Sequence, residues 1–458
     1  MKYSKESHLL TYEDIHPAKF SLAGDEEVAR KSDCLKNQIF CYPDTILNCT
    51  GEVYYISSNG SDDNDGKTKE TPWKTLEKIE KNQDRFSENT TFLFERGCVF
   101  RGFFGVKSGC SYGAYGEGEK PVFIGSEKNY AIASLWNDCG DNIWSLNTIG
   151  ENGESLWDIG LIAFDGGKSV GIKKDTLEEV KHDYDYYHDI KNAVLYLKST
   201  GGNPAEYAKS IEICSRRHIL YGYNVHNISI ENLCIRYTGG HGIGLSNVQN
   251  VSIKGCEIGW IGGSLQDPTV RFGNGIEIWN DCINLDISYN WVYQCYDAGI
   301  THQGTVCTHR DIRITNNLIE NCNYGLEFFV YEDSPVVENV LYENNIIRAS
   351  GYTWGNQRFN PWAQSAICCW HRKTKANNFV IKNNILEISR WYLVYLTSPS
   401  EYGLDIVFDG NFYYQKKSQG AYAALWLDEI KLPANSQKVF EKSISQIDKN
   451  YKACKLLT

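Results

Sequence analysis

Glu277 and Glu327 hold the same place in two copies of one short phrase, Gly275-Ile276-Glu277-Ile278 and Gly325-Leu326-Glu327-Phe328. A third copy, Gly299-Ile300-Thr301-His302, lies between them. Read as strands whose first apolar residue turns inward, the phrases put Glu277, Thr301 and Glu327 outward on one face. Stacked strands sit roughly 4.8 Å apart, so the two glutamate backbones are expected about 10 Å apart. Two carboxylates at that range suit acid–base work on a glycosidic bond. One protonates the leaving oxygen, and the other acts as nucleophile or as base for water. A lone exposed Glu is ordinarily a solvated charge, but each of these sits among apolar neighbours. The next outward residues, Trp279, Gln303, Phe329 and Trp370, suit sugar stacking and hydroxyl recognition.

Other polar residues gather near this face. Asp297 enters the strand that carries Thr301 and is the substitute catalytic carboxylate if one Glu proves structural. His241, Asp267, Arg271, His302 and Trp370-His371 are candidates for contact with substrate, together with Trp279 and Gln303. Asp267 and Arg271 lie on a 259–274 insert that can close over a ligand, and a second long insert, 350–365, flanks the same face. Alternation turns His302 inward, where it serves structure as readily as chemistry. His241, His302 and His371 fall in different repeats without close ligand spacing, so no metal site and no cofactor are expected.

The elements that must hold these residues are visible as a repeat. From about residue 226 an alternating apolar pair is followed by Asn or Gly and then a further apolar pair. Copies include Ile228-Ser229-Ile230-Glu231-Asn232, Ile312-Arg313-Ile314-Thr315-Asn316-Asn317 and Phe379-Val380-Ile381-Lys382-Asn383-Asn384. Strict alternation over so few residues indicates strands with one buried face, and one such unit cannot bury its own face alone. The units must therefore stack as coils in register, with the recurrent Asn as a bend residue that can bond its neighbour in the next coil. Cys295 and Cys322, with Ser350 and Ser389, read as an inward stack of small side chains. No amphipathic helix separates the strands, which excludes an ordinary parallel α/β protein. The expected fold is all-β: a right-handed parallel β-helix solenoid with a small antiparallel β insertion.

The first half differs. Val53-Tyr54-Tyr55-Ile56 runs into Gly60-Ser61-Asp62-Asp63-Asn64-Asp65-Gly66, and Pro72-Trp73-Lys74-Thr75-Leu76 opens a short helix. The acidic loop lacks the ligand spacing of a calcium loop and reads as a turn capping the coil start. These segments, with Phe94-Glu95-Arg96-Gly97 and Tyr112-Gly113-Ala114-Tyr115-Gly116, resemble the opening of bacterial right-handed β-helix proteins of the pectin-lyase-like superfamily. The resemblance covers most of residues 51–415. It implies a carbohydrate-active protein, a glycoside hydrolase or a polysaccharide lyase, without choosing between them. The leading expectation is a glycoside hydrolase acting on plant cell-wall-type oligosaccharides through Glu277 and Glu327. A lyase on uronic acids would call on Arg271 and Arg372, and a non-catalytic glycan-binding solenoid would use the aromatics alone.

The expected organisation is an N-terminal arm or cap on the first coil (1–50), first coils (51–139), a β-strand insertion (140–225), the main coils (226–428) and a C-terminal cap (429–458). A net charge of −11 without a basic cluster argues against nucleic acid or an anionic membrane as partner, and the resemblance implies an oligosaccharide or polysaccharide substrate. The first residues show no apolar signal segment, so a cytoplasmic location is expected, or a secreted one if a leader has been removed. The 16 cysteines are then reduced and mostly buried, and the sequons at Asn48, Asn89, Asn227 and Asn250 carry no sugar.

Overall fold

The computed structural model describes residues 24–48, 51–150, 153–330, 336–357, 363–371, 375–397, 405–417, 422–426 and 430–457, with the Trp370 and His371 side chains outside that description. Arg372 and residues 1–23 of the expected arm likewise lie outside the described residues.

From residue 220 onward the chain winds as stacked coils of three strands each. Two faces belong to an 18-stranded sheet and the third to a 10-stranded sheet. Coil-to-coil pairing on these faces is parallel, for example Ile276–Ser288 with Ala298–Gly304 and with Thr308–Thr315, apart from the antiparallel closing pair Tyr422–Trp426 with Ile430–Pro433. The two strands expected per coil are thus joined by a third, such as Trp291–Cys295 and Ile346–Ser350, formed by the apolar pair after the bend. Ile276, Ile300, Leu326 and Ile367 stack inward in register, and all are fully buried. Cys295, Cys322, Ser350 and Ser389 are buried as the expected small-residue stack. Every described cysteine is a free thiol.

The bend residue does its work as a pair of neighbours. Asn232, Asn316, Asn344 and Asn383 adopt φ of +55° to +57°, a left-handed backbone that Asn tolerates. From Asn290 onward the residue after the bend builds a ladder instead. Nδ2 of Asn290 donates to Oδ1 of Asn317 (3.0 Å), Asn317 to Asn345 (3.0 Å), Asn345 to Asn384 (2.9 Å) and Asn384 to Asn411 (3.0 Å). Each rung's second N–H reaches a backbone carbonyl, as Asn345 does to Ile314 (2.8 Å), and each Oδ1 also accepts a backbone N–H. Asp448, which can only accept, ends the ladder by receiving Nδ2 of Asn411 at 3.0 Å. A second, exposed Asn stack links Asn227, Asn250 and Asn284 along another edge, so two of the sequon asparagines are bound into the fold.

Both ends of the solenoid are covered. The helix Leu76–Glu80 puts Leu76 and Ile79 on the first coils, beside Trp73, Phe86 and Phe92. The acidic loop is its anchor: Asp62 accepts the N–H groups of Lys74 (2.9 Å) and Thr75 (3.0 Å). At the far end the helix Gln437–Ile447 buries Phe440, Ile444 and Ile447 against the last coil, and Ala453–Leu457 adds a last parallel strand. The N-terminal arm meets the first coils through its second part, where Asp44 pairs with Arg96 at 2.7 Å and Ile46 lies against Gly113. Its helix, Glu26–Phe40, departs from the expectation of a cap on the first coil and lies along the later coils, with Val28, Leu35 and Ile39 against Leu318, Ile346 and Ile385.

The insertion begins earlier than 140 and ends before 225. Coil strand Val122–Ile124 pairs with Cys234–Thr238, so residues 125–218 leave and rejoin the solenoid. They form two small sheets, antiparallel apart from one parallel pairing, around Trp136, Leu146, Ile162, Tyr186 and Leu197. Leu161, Ala163 and Cys214 dock this unit on Tyr237, Trp260 and Trp354 of the coils.

His302 points into the coil core with His309 and Tyr342. Its Nδ1 meets Nδ1 of His309 at 2.9 Å and its Nε2 meets the Tyr342 hydroxyl at 2.7 Å. Burial holds both imidazoles neutral, pushing His309 down to about 4.

Removing one interior rung should cost far more than removing an exposed one. Asn345→Ala leaves buried donors and acceptors open on both neighbours and is expected to lower stability by roughly 2–4 kcal/mol. Asn250→Ala is expected to cost under about 1 kcal/mol. Chemical denaturation of the two variants measures the difference.

Candidate active site

A cleft of about 1000 Å³ opens on the outer face of the strands that carry the two glutamates. Its floor follows the stacking register: Gly244 pairs with Glu277, Glu277 with Thr301, and Thr301 with Glu327. The second outward row supplies Ser246, Trp279, Gln303 and Phe329, and the ring of Trp279 meets Phe329 edge-on at 6.0 Å. Glu277, Glu327, Trp279 and Gln303 all line the cleft, as does Asp297 from the turn before Ala298–Gly304.

Glu277 sits in the most constrained position. Gln303 Nε2 donates to both of its oxygens at 2.7 Å, and Asn274 Nδ2 donates to Oε2. Desolvation nevertheless dominates: with the nearby Asp297 charge adding to it, burial pushes the carboxyl up to about 8, against the pull of the two amides. Glu277 is therefore a carboxylic acid at neutral pH, in a cleft that Asp297 and Glu327 also line. Thr301, between Glu277 and Glu327, keeps its hydroxyl buried and without a hydrogen-bond partner among the described residues.

A column of side chains holds Asn274 in place. Nδ1 of His218 accepts the backbone N–H of His241 (2.9 Å), and Nδ1 of His241 accepts the backbone N–H of Asn274 (2.9 Å). Asn274 Oδ1 then accepts the N–H of Ala298 (2.7 Å), next to Asp297. The two rings stack at 4.6 Å over Gly244, where a Cβ would come within 3.2 Å of His218 and 3.3 Å of His241. Because each Nδ1 accepts, the proton of each neutral ring resides on Nε2. Burial keeps both neutral, with His218 pushed down to about 4. His241 is thus a wall of the cleft that aligns Asn274, and through it Glu277.

The 259–274 insert is a hairpin, Ser264–Asp267 against Val270–Phe272, whose rim carries Asp267 into the cleft lining. Asp267 is tied into the hairpin turn by the N–H groups of Thr269 (2.8 Å) and Val270 (3.0 Å), which hold its carboxyl below the usual range. The insertion braces this hairpin at its base: Asp158 pairs with Lys173 at 2.5 Å and accepts the N–H of Leu265 at 2.6 Å.

Two expected substrate contacts are corrected. Arg271 is buried under the hairpin, donating to the carbonyls of Gly263 (2.6 Å) and Gly160 (3.2 Å) with its guanidinium over the Tyr296 ring. It is spent on joining hairpin to insertion and does not line the cleft. His302 likewise cannot reach a ligand, because it faces the coil interior. The strand Ser365–His371 carries Trp370 and His371, whose side chains lie outside the described residues.

Several cleft residues escaped sequence reasoning. Trp157, Arg216, Arg217 and His218 come from the insertion and its return, and Phe103, Tyr221 and Tyr223 from earlier strands and turns. Neither Arg216 nor Arg217 has an ion-pair partner among the described residues. They rest instead on aromatic rings, Arg217 over Phe103 at 4.5 Å and Arg216 over Trp157 at 5.7 Å. One signal was available: His218 and His241 are separated by 23 residues, the same interval that separates the paired asparagines Asn227 and Asn250.

A family model described as right handed beta helix region matches residues 207–411, and the fold is a right-handed parallel β-helix. No curated protein sequence matches the chain. Among solved structures, the complex of XylC with xylose is 14% identical, covering 82% of this chain and 72% of its own, with a TM-score of 0.45. A structure titled glycoside hydrolase is 10% identical, covering 86% and 98%, with a TM-score of 0.45. A rhamnogalacturonan lyase is 12% identical, covering 83% and 86%, with a TM-score of 0.42.

The raised Glu277 proton affinity has a stability consequence. A carboxyl that binds its proton more tightly folded than unfolded stabilises the fold fully below pH about 4.5, and that contribution is lost as pH rises through about 8. Glu277→Gln, neutral at all pH, is expected to be more stable than the wild type above pH 8 by a few kcal/mol, on the order of 2–5. The advantage should vanish toward pH 4.5. Thermal unfolding across that range measures it, and difference infrared spectroscopy should find the carboxylic acid band of Glu277 at pH 7 and lose it in the variant.

Proposed function

We propose that the protein is a carbohydrate-active enzyme, a glycoside hydrolase whose general acid is Glu277. The observation that carries this reading is a carboxyl group kept protonated at neutral pH on the floor of a cleft that Asp297 and Glu327 also line. A proton donor poised near the working pH, together with a second carboxylate, is what hydrolysis of an acetal bond requires. Trp279, Phe329, Tyr221 and Tyr223 offer ring faces for sugars along the same cleft.

In this reading Glu277 gives its proton to the glycosidic oxygen as the bond from that oxygen to the anomeric carbon breaks. Water adds to the anomeric carbon, and its proton passes to a carboxylate. Glu327 is the proposed base: its backbone is two strand spacings from Glu277, about 10 Å, and its side chain lines the same cleft. Asp297 supplies the like charge that helps keep the acid protonated. A lyase would instead need a deprotonated base to abstract the proton α to a uronate carboxyl, and Glu277 is poorly suited to that while it holds its own proton.

Product analysis on plant cell-wall oligosaccharides tests the reaction class. Saturated reducing sugars are expected, whereas products with ultraviolet-absorbing double bonds would establish a lyase. Glu277→Gln and Glu327→Gln are each expected to lower kcat by roughly 10²–10⁴-fold. Retention of near-normal turnover in both would remove the catalytic assignment. The alkaline limb of kcat/KM for the free enzyme is expected near pH 8, activity falling as Glu277 loses its proton.

A further inference from the structure

We infer that the cleft is blind at its catalytic end, so that the enzyme takes the end of a glycan chain and releases a short unit from it. This rests on the hydrolase reading above and specifies the substrate as a chain terminus.

The outward row that carries the glutamates continues past Glu327 as Cys368, Tyr395 and Leu425 in strict register. None of these lines the cleft. Cys368 is instead fully buried in an apolar cluster with Tyr324, Tyr392 and Tyr395, of which Tyr324 forms the end wall of the cleft, and Tyr395 and Leu425 are buried with it. The outer face is therefore filled with side chains one strand beyond Glu327. In the other direction the row runs from Glu277 to Gly244, which has no side chain, and then to Tyr221. At that end the lining opens to solvent: Tyr223 is 61% exposed and Trp157 is 55% exposed, against 4% for Glu277 and 6% for Glu327. Arg216 and Arg217 stand there as well.

Among the described residues the cleft thus deepens along the solenoid axis and ends at its carboxylates. From the Tyr221 strand to the Glu327 strand are four spacings, roughly 19 Å. A polymer lying across an open groove would have to pass through the position of Cys368 and its tyrosines to place an internal bond over Glu277 and Glu327. A chain end meets no such obstacle. Its terminal unit occupies the blind end, and the remainder leaves past Tyr221 and Tyr223.

The time course of products distinguishes the modes. Xylan, arabinan, galactan and homogalacturonan, and oligosaccharides of each in several lengths, are incubated with wild type and with Glu277→Gln. On the substrate that is cut, one short product is expected from the first time point, with the parent shortened stepwise and polymer viscosity nearly constant while reducing ends accumulate. A mixture of intermediate lengths with an early collapse of viscosity overturns the blind-end inference and leaves the hydrolase reading standing. Absence of any cleavage across the panel, or equal cleavage by Glu277→Gln, overturns the hydrolase reading and this inference with it. Tyr223→Ala, at an exposed position, checks the polarity. Its loss of kcat/KM is expected to be roughly tenfold greater on the longest chains than on the shortest, and an equal loss at all lengths overturns the assignment of the open end.

Discussion

The interior asparagine ladder is the constraint on which the site depends. A parallel coil can slide by two residues along its neighbour and still bury an apolar face, so hydrophobic alternation alone leaves the register open. The ladder removes that freedom. Each rung asparagine uses both amide protons on fixed partners in adjoining coils, and from Asn317 to Asn411 each carbonyl oxygen accepts two hydrogen bonds as well. A slipped coil would leave these groups buried and unpaired, at a cost of several kcal/mol. Asp448 terminates the series in the one chemical way open to it, as an acceptor for a ladder whose last member still has a proton to give. Register in the ladder is register on the opposite face, and Glu277, Thr301 and Glu327 come into one row because the asparagines do.

Against that rigid background the site holds one unfavourable feature. A carboxyl group buried among Gln303, Asn274 and the strand floor would ionise readily in water, and here it does not. The two amides that touch it favour the charged form, so the proton is retained through desolvation and the negative charge of Asp297. An acid with a proton to give at neutral pH is destabilising to the fold above that pH, a local cost carried by the many buried coils around it. The His218–His241–Asn274 column shows how the geometry is kept without adding charge: two neutral imidazoles act as acceptors for backbone N–H groups, and an amide passes the alignment to the acid.

How much of this was legible depended on whether a residue sat inside the repeat. Alternation read from Ile276, Ile300 and Leu326 placed Glu277, Thr301, Glu327, Trp279 and Gln303 on one outer face, because a period of two admits one assignment once the inward residue is chosen. The same logic turned His302 inward, and its bonds to His309 and Tyr342 lie in the core. Arg271 failed for a different reason. A residue on an inserted loop is expected at the surface, but the insertion packs over the hairpin base, and Gly160 and Gly263 let the two backbones approach closely enough for one guanidinium to bond both carbonyls. Arg216, Trp157 and the start of the insertion were hidden because non-repeating segments have no period from which to infer a neighbour. The division of labour at the bend, one residue for the left-handed backbone and the next for the ladder, was blurred because Asn serves both purposes in Asn316-Asn317, Asn344-Asn345 and Asn383-Asn384. Gly410-Asn411 and Tyr289-Asn290 separate them: Gly or Tyr suffices at the bend, and Asn recurs at the rung.

A solenoid face is by construction a long strip, equally accessible at every coil, and a binding site on it has to be made by covering the remainder. Here the cover comes from two sources. Hairpin and insertion build one wall and are locked together through Asp158, Lys173 and Arg271. The tyrosines around Cys368 fill the strip beyond Glu327. What stays open is the short stretch where Gly244 supplies no side chain and two stacked imidazoles stand over it, next to the one floor carboxyl whose proton is held by its surroundings. The repeat supplies alignment and the departures from the repeat supply enclosure. Desolvation of Glu277 requires both, because a row of carboxylates on an uncovered strip would be hydrated and ionised.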